Sequence, residues 1–297
     1  MDKKALLKVS LFSLLAIPIS QAHAVDIDYG DSPPVNVDVE LQLLIDVSGS
    51  ISNSEYDLQM QGYSYALQDS AIQDAILGTG NGEYGQIAVQ TVMWSSQSAQ
   101  QVMTDWTLLD STESITSYAN TLADMSRPFY GATYNAEALD FGSATFADNG
   151  FEGTRNVIDM SGDGYGYDYL YSNYSFFSGG ETSVARDNAL NNGIDTINGL
   201  TITYDYNQVG DVDLTTWYSQ NVIGGEDAFV LQAGDFTDFR SALSTKLFAE
   251  IEGDIIPTNA ITPGEVFSAP APIAGSGLLS LLMLGFCRLA GRRRQTQ

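Results

Sequence analysis

Cysteine and histidine are almost missing from this 297-residue sequence. The single cysteine, Cys287, and the single histidine, His23, lie near opposite ends of the chain. The residues between them therefore form no disulfide bond and contain no thiolate nucleophile. They also lack the ligands of a His/Cys zinc site and the histidine of a Ser-His-Asp triad, which excludes most hydrolase mechanisms from that region.

Basic residues are scarce as well. The chain has 12 Lys and Arg residues against 37 Asp and Glu residues, for a formal net charge of −25. Only five of the basic residues lie between Lys8 and Arg288, whereas all the acidic residues except Asp2 do. Such an acidic body repels the phosphates of nucleic acids and anionic membrane surfaces, so we expect no nucleic-acid partner. A solubilising surface or cation-rich surroundings would each account for the acidity.

The first 24 residues predict a secretory signal peptide. A basic start is followed by the apolar run 11–19 and by Ala22-His23-Ala24, a small-x-small cleavage site. Residues 25–37 are polar and predict a short lead-in to the first domain. We therefore expect an exported protein.

The C-terminal end predicts a linker and an apolar tail. Residues 253–271 contain three prolines, and residues 272–297 are mostly small and apolar up to the cluster Arg292-Arg293-Arg294. The apolar stretch is near the lower length limit of a transmembrane helix, and its basic end is expected to stay in the cytoplasm. This tail is the only contact with a membrane that we expect.

Apolar periodicity between these ends predicts alternating strands and helices. The pattern over residues 38–252 is typical of one α/β domain with a doubly wound, mostly parallel sheet and helices on both faces. Strands are predicted at 41–45, 86–94, 98–104, 155–160, 194–202 and 227–231, and helices at 52–77, 114–125, 133–146, 182–191 and 236–250.

A polar loop directly follows the first predicted strand. The apolar run 41–45 is typical of a strand buried on both faces, and it ends in Asp46-Val47-Ser48-Gly49-Ser50. Open α/β folds bind ligands at the carboxyl edge of the sheet, where this loop would lie. One carboxylate and two hydroxyls can converge there, and hard divalent cations prefer such oxygen ligands.

This Asp-x-Ser-x-Ser motif resembles the metal-ion-dependent adhesion site (MIDAS) of von Willebrand factor A (VWA) domains. Gly131-Ala132-Thr133 matches the distant threonine of that site, and the strand followed by Asp163-Gly164 matches its distant aspartate. Similarity to an uncharacterised bacterial secreted branch of the family rests on the runs Ile158-Asp159-Met160-Ser161-Gly162-Asp163-Gly164, Ile197-Asn198-Gly199-Leu200, Asn221-Val222-Ile223-Gly224-Gly225 and Lys246-Leu247.

The resemblance implies a metal site with defined roles for five residues. Ser48, Ser50 and Thr133 would contact the ion, while Asp46 and Asp163 would hold its coordinated waters. Mg²⁺ is the expected ion, with Ca²⁺ or Mn²⁺ as alternatives. An ion with so little direct negative charge would take a carboxylate from a partner in its open position. The tail in turn resembles a PEP-CTERM-type sorting signal, although Ala269-Pro270-Ala271-Pro272 stands where the Pro-Glu-Pro motif is expected.

A tyrosine-rich segment follows Asp163 and could line the rim of this site. The segment 165–180 is rich in aromatic residues, and its first tyrosines are the candidates for ligand contact: Tyr165, Tyr167, Tyr169 and Tyr171. Tyrosine supplies large contact area at modest entropic cost. A self-packed insertion without a ligand is the alternative.

Three further acidic residues could form a second cation site. Asp205, Asp211 and Asp213 lie close together in a predicted loop. In a chain this acidic, such a grouping also arises by chance.

The sequence leaves three functions open. The first is a non-enzymatic binding module that recognises an acidic group of a protein or an acidic polysaccharide through the metal. The second is a structural component of an extracellular matrix, in which the metal stabilises the fold. The third is a metal-assisted hydrolase, which would need an Asp or Glu as general base. We expect the cell surface or extracellular matrix of a Gram-negative bacterium as its location.

Overall fold

The computed structural model describes residues 33–78, 84–166, 180–203, 208–209, 212–253 and 255–265. The predicted signal peptide, most of the lead-in and the apolar tail lie outside these residues. The elements are β1 (Val35–Asp46), α1 (Asn53–Leu67), α2 (Ser70–Ile76), β2 (Ile87–Trp94), β3 (Gln100–Leu109), α3 (Thr112–Ala123), α4 (Asn135–Ser143), a 3-10 helix (Ala144–Phe146), β4 (Phe151–Gly162), α5 (Gly180–Asn191), β5 (Thr196–Ile202), β6 (Gln208–Val209), β7 (Val212–Asp213), α6 (Leu214–Asn221), β8 (Gly224–Gly225), β9 (Val230–Ala233) and α7 (Phe236–Glu252).

Seven strands form one mixed sheet in the order β3-β2-β1-β4-β5-β8, with β9 also beside β5. β1 pairs in parallel with both β2 and β4, and β5 pairs in parallel with β4 and β9. The antiparallel members are β3, beside β2, and the short β8, beside β5. The predicted doubly wound, mostly parallel α/β fold is confirmed.

The central strand β1 is buried on both faces, as its continuous apolar run predicts. Side chains of successive strand residues point to opposite faces. Leu43 and Ile45 accordingly join a core that includes Met60 of α1 and Phe239 of α7. Leu44 joins the second core, with residues of α4 and α6. Helices therefore cover both faces of the sheet.

The helix predicted over 52–77 is in fact two helices. α1 ends at Leu67, and α2 begins at Ser70. Asp69 separates them because its side chain accepts a hydrogen bond from Ala71 N at 2.9 Å and so caps the start of α2. A short polar side chain that bonds its own backbone competes with a continuous helix.

Other differences also have local causes. β3 reaches Leu109 because it stays paired with β2 across a register shift. β9 begins at Val230 and not at 227, where Asp227 has a positive φ of 53° that a strand does not accept. α6 was not predicted, since the sequence Leu-Thr-Thr-Trp-Tyr-Ser-Gln-Asn has only three large apolar residues.

α7 is attached to β4 at two points. Arg155 Nη2 donates to the carbonyl oxygens of Glu250 and Ile251 at 2.8 and 3.0 Å, where a cation suits the negative end of the helix dipole. Further along β4, the Lys246 ammonium lies 2.6 Å from Asp159 Oδ1 and also pairs with Glu250. All three of these charged side chains are fully buried.

None of the helices in the described ranges combines the length and apolar character needed to cross a membrane.

Candidate functional site

The carboxyl ends of β1 and β4 bring two distant aspartates together. The parallel register pairs Ile45 with Ser161, so Asp46 at the end of β1 lies level with Gly162 at the end of β4. A Cβ at Gly162 would lie 3.1 Å from Asp46 Oδ2 and 2.5 Å from the Tyr218 hydroxyl. Glycine at this position therefore lets β4 pass close to Asp46 and places Asp163 beside it.

Three hydroxyls connect the loop after β1 to the distant threonine and aspartate. Thr133 Oγ1 donates to Ser48 Oγ at 3.2 Å, and Ser48 Oγ lies 3.1 Å from Ser50 Oγ. Ser50 Oγ donates to Asp163 Oδ1 at 2.6 Å, and Ser48 N donates to Asp46 Oδ1 at 2.7 Å. The structure thus brings together all five residues that the sequence motif names.

The Thr133 segment is held against the loops that follow β1 and β2. Gly49 N donates to Gly131 O at 2.7 Å, and Ala132 N donates to Ser96 Oγ at 2.9 Å. A Cβ at Gly131 would lie 2.0 Å from Ser96 Oγ, so a larger residue would displace the hydroxyl that accepts from Ala132 N. Thr133 itself precedes α4, which begins at Asn135 and not at 133 as predicted.

The two carboxylates of the site are deeply buried. Asp46 is 0% exposed and Asp163 is 5% exposed, whereas Ser50 is exposed. Burial, and then the negative charge of Asp163, raise the pKa of Asp46. Burial also raises the pKa of Asp163. Among the described residues Asp46 Oδ2 has no hydrogen-bond partner, so a proton or a cation would relieve the charge on this pair.

Arg127 contacts the same loop and was not predicted from the sequence. Its guanidinium donates to the backbone carbonyls of Val47, Ser48 and Ile51. Its Cζ atom lies 3.8 Å from the ring centroid of Tyr130, a residue that is 59% exposed. One signal was available, because Arg127 is one of few basic residues in the acidic body of the chain.

Two more residues lie behind Asp46 and were also not predicted. The Tyr218 hydroxyl from α6 lies over Gly162, and the side chain of Asn135, the first residue of α4, is near that hydroxyl. Burial, and then the charges of Asp46 and Asp163, raise the pKa of Tyr218 well above its usual value. A neutral phenol therefore lies behind the carboxylate pair.

Of the tyrosines in the tyrosine-rich segment, only Tyr165 lies in the described residues. Tyr165 is 9% exposed, its hydroxyl donates to Val212 O at 2.9 Å, and its ring packs edge-on against Trp217. Tyr165 is thus part of the second core. Tyr167, Tyr169 and Tyr171 lie outside the described residues, and their contact with a ligand stays a prediction.

Of the second acidic cluster only Asp213 is described. Asp213 accepts hydrogen bonds from Thr216 N at 3.0 Å and from Thr216 Oγ1 at 2.6 Å, and so caps the start of α6. Asp205 and Asp211 lie outside the described residues. In the part of the chain that the structure covers, no group of three or more His, Cys, Asp or Glu side chains could hold a metal. The site at Asp46 differs from such a group because most of its oxygen donors are hydroxyls.

Solved structures with a similar fold include VWA-domain proteins. The mussel byssus protein PTMP1, in a structure with a zinc-occupied MIDAS motif, has a TM-score of 0.50 and 14% identity over 74% of this chain and 49% of its own. The pilus adhesin SpaC of Lactobacillus rhamnosus GG has a TM-score of 0.48 and 16% identity over 75% of this chain and 31% of its own. The vWF domain of the pilus tip protein Mfa5 of Porphyromonas gingivalis has a TM-score of 0.44 and 11% identity, covering 76% and 98% of the two chains.

These similarities describe the fold alone. The chain spans about half the length of the mussel protein and about a third of the SpaC adhesin. No curated protein matches the chain in a sequence comparison. Residues 36–255, however, match a family of proteins of unknown function, DUF1194. That match covers most of the chain, which therefore belongs to the DUF1194 family and has a VWA-like α/β fold.

Proposed function

We propose that this domain binds a divalent cation, Mg²⁺ in the first place, and recognises an acidic group of a partner through it. The observation that carries the proposal is the row of three hydroxyls between two buried carboxylates. Ser48, Ser50 and Thr133 offer direct oxygen ligands. Asp163 accepts a hydrogen bond from Ser50 Oγ, and Asp46 accepts one from Ser48 N. An oxygen-only donor set suits a hard cation, and when bound the ion would supply an open position for a carboxylate.

The electrostatics of the site support the same proposal. Asp46 and Asp163 are buried next to each other, and this proximity adds to the burial that raises the pKa of Asp46. A cation between them would offset the cost of burying two like charges. We propose a role in binding and not in catalysis, because both carboxylates of the site are then needed to hold the ion.

The partner that we propose is an extracellular protein presenting Asp or Glu, with an acidic polysaccharide as the alternative. The sequence of the first 24 residues supports export. The acidic body repels uniformly anionic polymers, so a protein with a single exposed carboxylate fits better. The fold shared with a byssus matrix protein is compatible with an adhesive or matrix role.

Metal should stabilise the folded protein, and Asp46 should be required for this. At a metal concentration of about 100 times Kd, the gain expected by mass action is about 2.7 kcal/mol. In Asp46→Asn the gain should disappear, while the metal-free protein becomes more stable by about 1–2 kcal/mol because one of two neighbouring buried charges is removed. Thermal unfolding of chelated protein, with and without Mg²⁺, Ca²⁺ or Mn²⁺, measures both effects.

Asp57→Asn is the matched control for this experiment, because Asp57 is an exposed acidic residue of α1. It should keep the full metal gain. Equal gains in wild type, Asp46→Asn and Asp57→Asn would show that cations only screen the acidic surface, and the proposal would then be wrong.

The hydroxyl of Thr133 should matter more than its shape. Thr133 is 8% exposed and donates to Ser48 Oγ. Thr133→Val keeps the volume but removes the oxygen ligand, so we expect metal affinity to fall about tenfold or more. Thr133→Ser should keep most of the affinity, and calorimetric titration with Mn²⁺ compares the three proteins. Similar affinity in the Val and Ser variants would exclude Thr133 as a ligand.

A further inference from the structure

We propose that Arg127 is a positioning residue of the β1–α1 loop, residues 47–51. Its guanidinium accepts no bond itself but donates to the carbonyl oxygens of two peptide groups. The N–H groups of the same two peptides hold Asp46 and the Thr133 segment in place. The inference rests on the proposed metal-binding function, since it concerns the geometry of the same site.

The contacts of Arg127 converge on one short loop. Nη2 donates to Val47 O at 2.6 Å and also to Ser48 O, and Nη1 donates to Ile51 O at 2.7 Å. Nε donates to Val47 O at 3.2 Å and to Phe129 O, in the segment of Arg127 itself, at 3.3 Å. A planar fork with five donors matches such a set of converging acceptors, and charge-assisted hydrogen bonds of this kind are the strong ones.

The direction of these carbonyls sets the direction of two N–H groups. In a trans peptide the C=O and the N–H point to opposite sides. The carbonyl of Val47 points to Arg127, and the N–H of the same peptide group, on Ser48, donates to Asp46 Oδ1 at 2.7 Å. The carbonyl of Ser48 also points to Arg127, and the N–H of Gly49 donates to Gly131 O at 2.7 Å. One side chain thus orients both the Asp46 carboxylate and the segment that carries Thr133.

Tyr130 covers the guanidinium from the solvent side. Its ring centroid lies 3.8 Å from Arg127 Cζ, and its hydroxyl donates to Asn53 Oδ1 at the start of α1. A second ring, that of Tyr56, lies 5.9 Å from the same Cζ atom. Aromatic faces attract a cation and keep water from its hydrogen bonds.

The contacts of Arg127 point to a geometric role. Its positive charge also acts to lower the pKa of Asp163, but the effect of burial on that pKa is larger. A positive charge beside a cation site opposes metal binding, so attraction to the metal cannot explain its position. Among the described residues Arg127 forms no ion pair with Asp46 or Asp163, and its hydrogen bonds go to carbonyl oxygens. A lysine would keep the charge but could not bond all of these carbonyls at once.

Calorimetric titration of the full chain with Mn²⁺ tests the inference. Arg127→Lys and Arg127→Ala should each bind Mn²⁺ about tenfold or more weakly than wild type. Guanidinium ion at low millimolar concentration should restore much of the affinity of Arg127→Ala, because it can enter the vacated place. Arg240→Ala is the matched control, because Arg240 also stacks on an exposed tyrosine, Tyr65, but itself belongs to α7. This variant should bind Mn²⁺ as tightly as wild type does.

Wild-type affinity in Arg127→Lys would overturn the inference, since the charge alone would then suffice. A loss in Arg127→Ala that guanidinium leaves unchanged would also count against it. If Arg127→Ala does not fold, Tyr130→Leu replaces it, because Tyr130 is exposed and its ring covers the guanidinium. We expect a smaller loss of affinity from Tyr130→Leu, of about two- to fivefold, and an unchanged affinity would contradict the role given to Tyr130.

The exchange rates of backbone amide hydrogens show whether this inference or the metal proposal is at fault. In metal-free protein the N–H groups of Ser48 and Gly49 should exchange at least about tenfold faster in Arg127→Lys than in wild type. The N–H of Ile197, in the core strand β5, should exchange at the same rate in both. If wild type binds no Mn²⁺ but this difference is found, the metal proposal fails and the positioning role stands. Equal exchange rates at Ser48 and Gly49 would overturn the positioning role itself.

Discussion

Replacement of Lys246 by methionine should lower the free energy of unfolding by about 3–5 kcal/mol, the largest effect we expect from a single substitution. The Lys246 ammonium is fully buried between Asp159, at 2.6 Å, and Glu250. Methionine fills a similar volume but carries no charge. Two buried carboxyl groups would then lie close together without a cation beside them.

Urea unfolding of chelated protein measures this loss, and two further variants interpret it. Arg240→Met replaces an exposed cation of the same helix and should change stability by less than about 0.5 kcal/mol. Combining Lys246→Met with Asp159→Asn and Glu250→Gln removes all three charges and should recover part of the loss. A loss below about 1 kcal/mol in the single variant would show that water reaches this cluster.

The same cluster should make stability depend on pH. Burial, and then the negative charge of Asp159, raise the pKa of Glu250 to about 8, although the Lys246 ammonium acts in the opposite direction. Asn198 of β5 and Tyr63 of α1 are the other groups near these carboxylates. A carboxyl group whose pKa is raised on folding binds its proton more tightly in the folded state. Its contribution to stability is therefore complete below its unfolded pKa, near 4.5, and is lost as the pH rises towards 8.

Unfolding of chelated wild type between pH 5 and 8.5 should show stability falling by a few kcal/mol. Asp46 and Asp163 add a change of the same sign, because their pKa values are also raised. The contribution of Glu250 is therefore the difference between wild type and Glu250→Gln, which should have the flatter curve. Parallel curves for the two proteins would mean that Glu250 is ionised throughout this range.

Of the five predicted site residues, short-range spacing after a buried strand indicated Asp46, Ser48 and Ser50, while Thr133 and Asp163 were matched through the resemblance to VWA domains. Asp46, Ser48 and Ser50 alternate along one loop directly after a buried strand. Asp163 follows a second buried strand, and parallel neighbours end at the same edge of a sheet. Thr133 lies before a helix and not directly after a strand, so only the resemblance pointed to it.

Arg127 and Lys246 could not be assigned in this way, because their roles depend on contacts with distant residues. The carbonyls that Arg127 holds are 76 to 80 residues away in sequence. Lys246 and Glu250 are one turn apart on α7, on the face that also carries Leu243 and Leu247. This spacing was a local signal of a buried charge pair. Asp159, which also pairs with Lys246, lies on β4. In the sequence this residue stood out only as part of a motif, with no indication of its partner.

The attachment of α7 to β4 limits how this domain can respond to a ligand. Sliding α7 by one turn, about 5.4 Å, would separate Lys246 from Asp159 and leave charges unpaired in the core. The same movement would pull the end of the helix away from Arg155. These contacts hold β4, the strand that leads into Asp163, against α7. They also resist movement of α7 along the helix axis. A domain built in this way resists a one-turn shift of its last helix, so the metal site that we propose would act without a relay through α7.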